Sequence, residues 1–172
     1  EEELDCNDIK SNTVFIEKFH KKFIDMVSDY VKKYNPSQII MAMDGCQNWR
    51  KNIYKEYKAN RKNSNAKISD DQVFIYLQDT ILPDLAQKYD NLYYIKEDKA
   101  EGDDVISVIK KYIRQNTPDQ DIIIITSDTD LCQLIDDKTL IYDLKNKCLK
   151  TNVLYKYDIS AEYYLAEKCL LG

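Results

Sequence analysis

Histidine is almost absent from this chain: His20 is the only one in 172 residues. Catalysis by a histidine base and histidine-rich metal sites are thereby excluded. His20 itself lies inside an apolar pattern of helical spacing and reads as a packed or solvated residue. Glycine is nearly as scarce, confined to Gly45, Gly102 and Gly172. No apolar run approaches the roughly 18 residues of a membrane span, and nothing resembles a signal peptide. The five cysteines (Cys6, Cys46, Cys132, Cys148, Cys169) are odd in number and form no CxxC pair. That pattern argues against a disulfide framework or thiolate zinc site and for a reducing, intracellular compartment. Positive charge is also in deficit, with a net charge of −5. Taken as an average, this argues against a nucleic-acid partner, but the charge is segregated along the chain. With 44% hydrophobic and 32% charged residues, the composition is that of a soluble globular domain or a large piece of one.

Apolar residues from Val14 to Tyr34 recur at helical spacing, so a long amphipathic helix is predicted up to Asn35-Pro36. Gln38 to Met43 reads as a strand ending at Asp44-Gly45. A basic helix is predicted from Gln47 to about Arg61, then a polar loop over Lys62 to Lys67. Ser69 is placed to cap a helix carrying Val73 to Tyr89, kinked or broken at Pro83. Leu92 to Ile95 is a candidate strand, and a helix with Val105, Ile109 and Tyr112 follows. Ile122 to Ile125 is an unbroken β-branched run, as in a strand buried on both faces. A short helix should start near Asp128. Leu140 to Tyr142 and Cys148 to Lys150 could pair about Lys145-Asn146, and Ser160 caps a final helix. There are no internal repeats. This alternation predicts an α/β sandwich with a mostly parallel central sheet, in which ligands gather at the carboxyl ends of the strands.

Asp44, Glu101, Asp103, Asp104, Asp128 and Asp130 all fall at such ends or at the start of the following helix. Like charges held together destabilise one another unless a cation sits among them. Hard oxygen donors suit magnesium or manganese. Two such ions roughly 4 Å apart activate water and stabilise a leaving oxygen in phosphodiester hydrolysis. Gly45 would permit a tight exit behind Asp44, and Gly102 a close backbone approach within the cluster. Asp70-Asp71, Glu97-Asp98 and Asp136-Asp137 read instead as caps or solvated loops.

Between Arg50 and Lys67, seven basic residues (Arg50, Lys51, Lys55, Lys58, Arg61, Lys62, Lys67) face a single acid, Glu56. The local balance is +6, which leaves −11 for the rest of the chain. On a helix, Lys51, Lys55, Lys58 and Lys62 would form one stripe, suited to backbone phosphates. Aromatic rings beside it can stack on bases, although Trp49 is expected to be structural, packed with Ile53.

Met43-Asp44-Gly45, with Trp49-Arg50-Lys51 and Tyr57-Lys58-Ala59-Asn60-Arg61, resembles the FDG…fRxxxxxxYKxNR segment of the 5′–3′ exonuclease/flap endonuclease family. Glu101-Gly102-Asp103-Asp104-Val105 resembles that family's EADD(V/I), with glycine in place of the usual alanine. Ile125 to Leu134 resembles its IxTxDxDxxQL. The three occur in the family's order and approximate spacing.

The resemblance implies a three-layer, PIN-like nuclease core holding two Mg²⁺ ions, with Mn²⁺ as an alternative. The metal would be bound, directly or through water, by Asp44, Glu101, Asp103, Asp104, Asp128 and Asp130. Residues 47–67 would form the helical arch or gateway. Within it Arg50, Lys51, Lys55, Tyr57, Lys58, Arg61 and Lys62 would contact nucleic acid, and Arg50, Lys51 or Lys58 would serve the scissile phosphate. The implied activity is hydrolysis of 5′ flaps and 5′ ends of DNA, with RNA-primer removal in replication or repair. The implied partner is branched or 5′-ended DNA, or an RNA/DNA hybrid, met by a monomer away from any membrane. The family pattern also has a first strand ending in Asp and a C-terminal helical hairpin, neither of which is found in residues 1–172. The chain therefore reads as a partial catalytic domain, expected to be inactive or weak alone and to hold metal loosely. Two other readings remain: a PIN-type endoribonuclease, and a non-catalytic nucleic-acid-binding relative.

Overall fold

A computed structural model describes residues 13–59, 70–150, 154 and 159–171. The chain divides into two compact units, Glu1–Lys99 and Ala100–Gly172. Among the described residues, no helix is long and apolar enough to cross a membrane.

The first unit opens with helix α1 (Thr13–Tyr34), followed by strand β1 (Ile39–Met43). A single turn, α2, covers Arg50–Ile53. Helix α3 (Asp70–Tyr76) runs through a π-helical turn (Leu77–Ile81) into α4 (Leu82–Lys88), and strand β2 (Leu92–Lys96) follows. β1 and β2 pair in parallel, with Ile39 opposite Leu92 and Met43 opposite Lys96. The apolar stripe of α1 explains its place: Val27, with Phe19, Phe23 and Val31, packs against Ile81, Leu82, Leu85, Met43 and Leu92. The Pro83 discontinuity takes the form of the π turn. Proline supplies no N–H and crowds the carbonyl one turn earlier. The helix accommodates it by widening just upstream, where the Leu82 N–H reaches back to the Leu77 carbonyl. The helix therefore continues and no break occurs. The Ser69 cap lies outside the described residues.

His20 is held within this unit. Its Nδ1 lies 3.1 Å from the Tyr76 hydroxyl and its Nε2 3.1 Å from Asp84 Oδ2. A polar clamp from α1 to the two helices it packs on accounts for the residue without any ligand.

The second unit contains helix α5 (Gly102–Asn116), strand β3 (Ile122–Ile125), a 3₁₀ turn (Thr129–Leu134), strand β4 (Thr139–Tyr142) and helix α6 (Ala161–Leu171). β3 and β4 are again parallel, with Ile122 opposite Thr139. Their core gathers Ile124, Leu131, Cys132, Ile135, Ile141, Leu149, Leu154 and Tyr164. As expected, Ser160 caps α6, its hydroxyl accepting from the Tyr163 N–H at 3.1 Å.

Two expectations change. The run Ile122 to Ile125 is not buried on both faces, since Ile123 is 40% exposed while Ile124 is buried. A β-branched run satisfies a one-sided strand equally well. The hairpin expected after β4 shrinks to one antiparallel bridge, Tyr142 with Cys148. Asn146 takes the left-handed conformation at φ 61° and Asp143 Oδ1 binds the N–H groups of Lys145 and Lys147, so a tight local turn ends the pairing.

Candidate nucleic-acid interface and metal centre

Asp44 follows the last residue of β1 and is exposed. Behind it the chain turns against the loop that follows β2. The Gln47 N–H donates to the Asp98 carbonyl at 2.7 Å and the Trp49 N–H to the Lys99 carbonyl at 3.0 Å. Gly45 sits where these two loops touch. A Cβ there would collide with the Glu97 carbonyl oxygen and lie 2.8 Å from that of Asp98. The glycine behind Asp44 is thus required by close backbone approach.

The long basic helix is not present. α2 stops at Ile53, Tyr54 is extended, and Lys58 has a left-handed φ of 56°. Among the described residues, Lys51, Lys55 and Lys58 therefore do not line one helical stripe. Lys51 and Lys55 are exposed at separate places, and Arg61 and Lys62 lie outside the described residues. What replaces the stripe is a cluster of cations on rings. The Arg50 guanidinium lies 4.7 Å from the Trp49 ring centroid and 5.8 Å from that of Tyr57, with the Lys58 ammonium 5.1 Å from the Tyr57 ring. Asn48 Oδ1 accepts from the Arg50 N–H at 2.9 Å and fixes the start of the turn. Trp49 is 43% exposed and Ile53 78%, so neither is the core residue expected.

In the second unit, Glu101 is the N-cap of α5 and forms a reciprocal capping box with Asp104, whose Oδ2 accepts the Glu101 N–H at 3.0 Å. Asp103 lies between them, and its carbonyl accepts from the Ser107 hydroxyl at 2.7 Å. Asp128 caps the 3₁₀ turn, its Oδ1 accepting the Asp130 N–H at 2.8 Å. The Asp130 carboxylate contacts the Lys168 ammonium of α6 at 3.2 Å. That bond, with Tyr164 and the Asp130 charge, raises the Lys168 pKa. Beneath them, burial pushes the Cys132 thiol up to about 11, with the Asp128 and Asp130 charges adding to it. Among the described residues, no three acidic, histidine or cysteine side chains converge as a group able to hold a metal ion. The structure brings Glu101 to Asp104 and Asp128 to Asp130.

Two arrangements carried no advance signal. Lys168 was not singled out, although four-residue spacing puts it on the Tyr164 face of a capped helix. Asp136, read as a cap or solvated loop residue, accepts the Lys138 N–H at 2.9 Å and also binds Lys110 at 2.7 Å and Arg114 at 3.2 Å. Arg114 further donates to the Pro118 and Gln120 carbonyls and to the Thr139 hydroxyl.

Residues 8–163 match the model of the family described as 5′–3′ exonuclease, N-terminal resolvase-like domain. The chain belongs to this 5′–3′ exonuclease family. One relative is the DNA polymerase I of Caldicellulosiruptor bescii, 29% identical over 176 residues, which cover 96% of this chain and 19% of the polymerase. Another is the 5′–3′ exonuclease of Buchnera aphidicola subsp. Schizaphis graminum, 27% identical over 82% of this chain and 47% of that protein. The chain thus spans less than half the length of these curated relatives. Among solved structures, the bacteriophage T5 5′-exonuclease with bound zinc superposes with a TM-score of 0.62 at 23% identity, over 81% of this chain and 52% of that one. A complex of the phage T5 flap endonuclease with DNA and metal ions gives 0.60 at 22% identity, over the same shares. These likenesses establish the exonuclease fold, α/β with short parallel sheets.

Proposed function

We propose that this chain is most of the catalytic core of a divalent-metal-dependent 5′ nuclease that hydrolyses phosphodiesters in branched or 5′-ended DNA. The observation that carries the reading is the family match across residues 8–163, which spans the acidic segments at Asp44, Glu101 to Asp104 and Asp128 to Asp130. The relatives' names and the metal and DNA bound by the T5 proteins support it. Mg²⁺, or Mn²⁺, is the proposed ion because all six acids offer hard oxygen donors.

The protein's own part falls to the first unit. Arg50 lies against Trp49 and Tyr57, which holds its planar guanidinium beside two aromatic faces. Such a group binds a phosphate through paired N–H donors while bases stack on the neighbouring rings. Lys51, Lys55 and Lys58 would add charge against the backbone, and Lys58, whose ammonium lies beside the Tyr57 ring, would reach the scissile phosphate. Arg61 and Lys62, outside the described residues, are proposed nucleic-acid contacts from the sequence resemblance alone. The protein acts as a monomer in a reducing compartment, at the site of DNA replication or repair.

The test compares 5′-flap DNA with single-stranded RNA of matched length, each with and without Mg²⁺, using the intact protein. Cleavage of the flap only with Mg²⁺ is expected. Preferred cleavage of the RNA would instead indicate a PIN-type ribonuclease, and binding without cleavage a non-catalytic relative.

A further inference from the structure

Three large apolar side chains stand in water between positions 49 and 54: Trp49 is 43% exposed, Tyr54 58% and Ile53 78%. None of them belongs to the core of the first unit. Single exposed apolar residues are ordinary, whereas a run of large ones marks a contact surface. The backbone gathers these three. Trp49 has helical dihedrals and its carbonyl accepts the Asn52 N–H at 3.0 Å, so Ile53 stands one turn on, along the same side. The Tyr54 N–H closes that turn on the Arg50 carbonyl at 2.8 Å. The chain is then extended, and the Tyr54 hydroxyl donates to Glu56 Oε2 at 3.1 Å. Glu56 is the single acid among the seven basic residues of this segment, and the bond engages its carboxylate. The Arg50 guanidinium lies over the Trp49 ring. Rings beside cations suit a strand that offers flat base faces and phosphates together. A duplex does not, because neighbouring pairs cover its base faces and leave phosphates and groove edges to a side chain.

We propose that Trp49 and Tyr54 form a stacking platform for unpaired nucleobases, and so select a single-stranded 5′ segment over duplex. The inference rests on the nuclease reading above and adds to it residues that carry no charge. Each ring offers a face to one base, Ile53 fills the apolar surface between them, and the neighbouring cations meet the phosphates. Recognition of this kind tolerates any sequence, since every base has a π face. It fails where bases are missing.

The test is equilibrium binding of the intact protein to two 5′-flap DNAs without Mg²⁺. One flap is ordinary and the other carries abasic nucleotides, so the phosphates are the same and only the bases differ. The wild type is expected to bind the ordinary flap about 5-fold or more tightly, the size of one stacked base. Trp49→Ala and Tyr54→Ala should each lower that ratio by weakening the ordinary flap alone, and Trp49→Phe should keep most of it. Lys51→Gln should weaken both DNAs alike and leave the ratio unchanged, as expected of a phosphate contact. Circular dichroism confirms folding, and Tyr54→Ala, at the more exposed ring, carries the test if Trp49→Ala does not fold. Equal binding of the two flaps by the wild type overturns the inference, as does a ratio kept by both alanine variants. Mg²⁺-dependent cleavage of the ordinary flap, measured alongside, separates the two readings. Cleavage without a preference for bases overturns this inference alone, and no flap binding with or without Mg²⁺ overturns both.

Discussion

Charged residues in this chain are most informative where they are half-buried and shared. Asp136 is the clearest example. Burial alone would raise its carboxyl, but hydrogen bonds from Lys110, Thr139 and the Lys138 N–H, with the Lys110 charge, hold it well below the usual carboxylate range. A depressed folded-state pKa stabilises the fold above the unfolded value of about 4. That contribution is lost as pH falls through the folded value. Asp136→Asn is therefore expected to cost about 1–3 kcal/mol at neutral pH and to flatten the loss of stability on acidification. Urea unfolding at pH 7, 4 and 3 measures both, and parallel pH curves for the two proteins would contradict the assignment. No pattern in the sequence distinguishes Asp136 from Asp137. The partners lie on α5 and β4, and only the fold brings them together.

Elements were legible where a period or a breaker marked them. α1, β1, β2, α5, β3 and α6 follow from apolar spacing and capping residues. The π turn before Pro83 and the single turn of α2 were not legible, for different reasons. Proline announces a discontinuity but not whether the helix bends, stops or widens. The segment after Trp49 carries helix-forming lysines, yet the backbone turns extended at Tyr54 and left-handed at Lys58, which no spacing of its residues announces. Gly45 belongs to the junction of the loops behind β1 and β2. Gly45→Ala must drive the Glu97 and Asp98 carbonyls apart, and backbone does not yield as a flexible side chain does. A loss of about 1–3 kcal/mol is expected from chemical denaturation. A neutral substitution would mean that the two loops are not held as described.

Across the whole molecule, the acidic candidates were legible because three separate segments place carboxylates just beyond strands. Their state was not legible. Sequence spacing reports that acids are near helix starts, and it does not report that Glu101 and Asp104 cap each other or that Lys168 holds Asp130. The basic segment was legible as charge and misjudged as a helix, so the phosphate-binding role proposed for it now rests on Arg50 beside Trp49 and Tyr57. The proposed function requires the carboxylates of Asp103 and Asp128 to serve cleavage beyond their part in the fold. It is tested most directly by Asp103→Asn and Asp128→Asn in the intact protein, with cleavage and binding of 5′-flap DNA measured side by side. Asparagine keeps the shape and one acceptor oxygen of each side chain while removing its charge. Loss of cleavage by a factor of about 100 or more is expected, as when a group stabilising the transition state is removed, with flap binding retained. Near-normal Mg²⁺-dependent cleavage by both variants would contradict it.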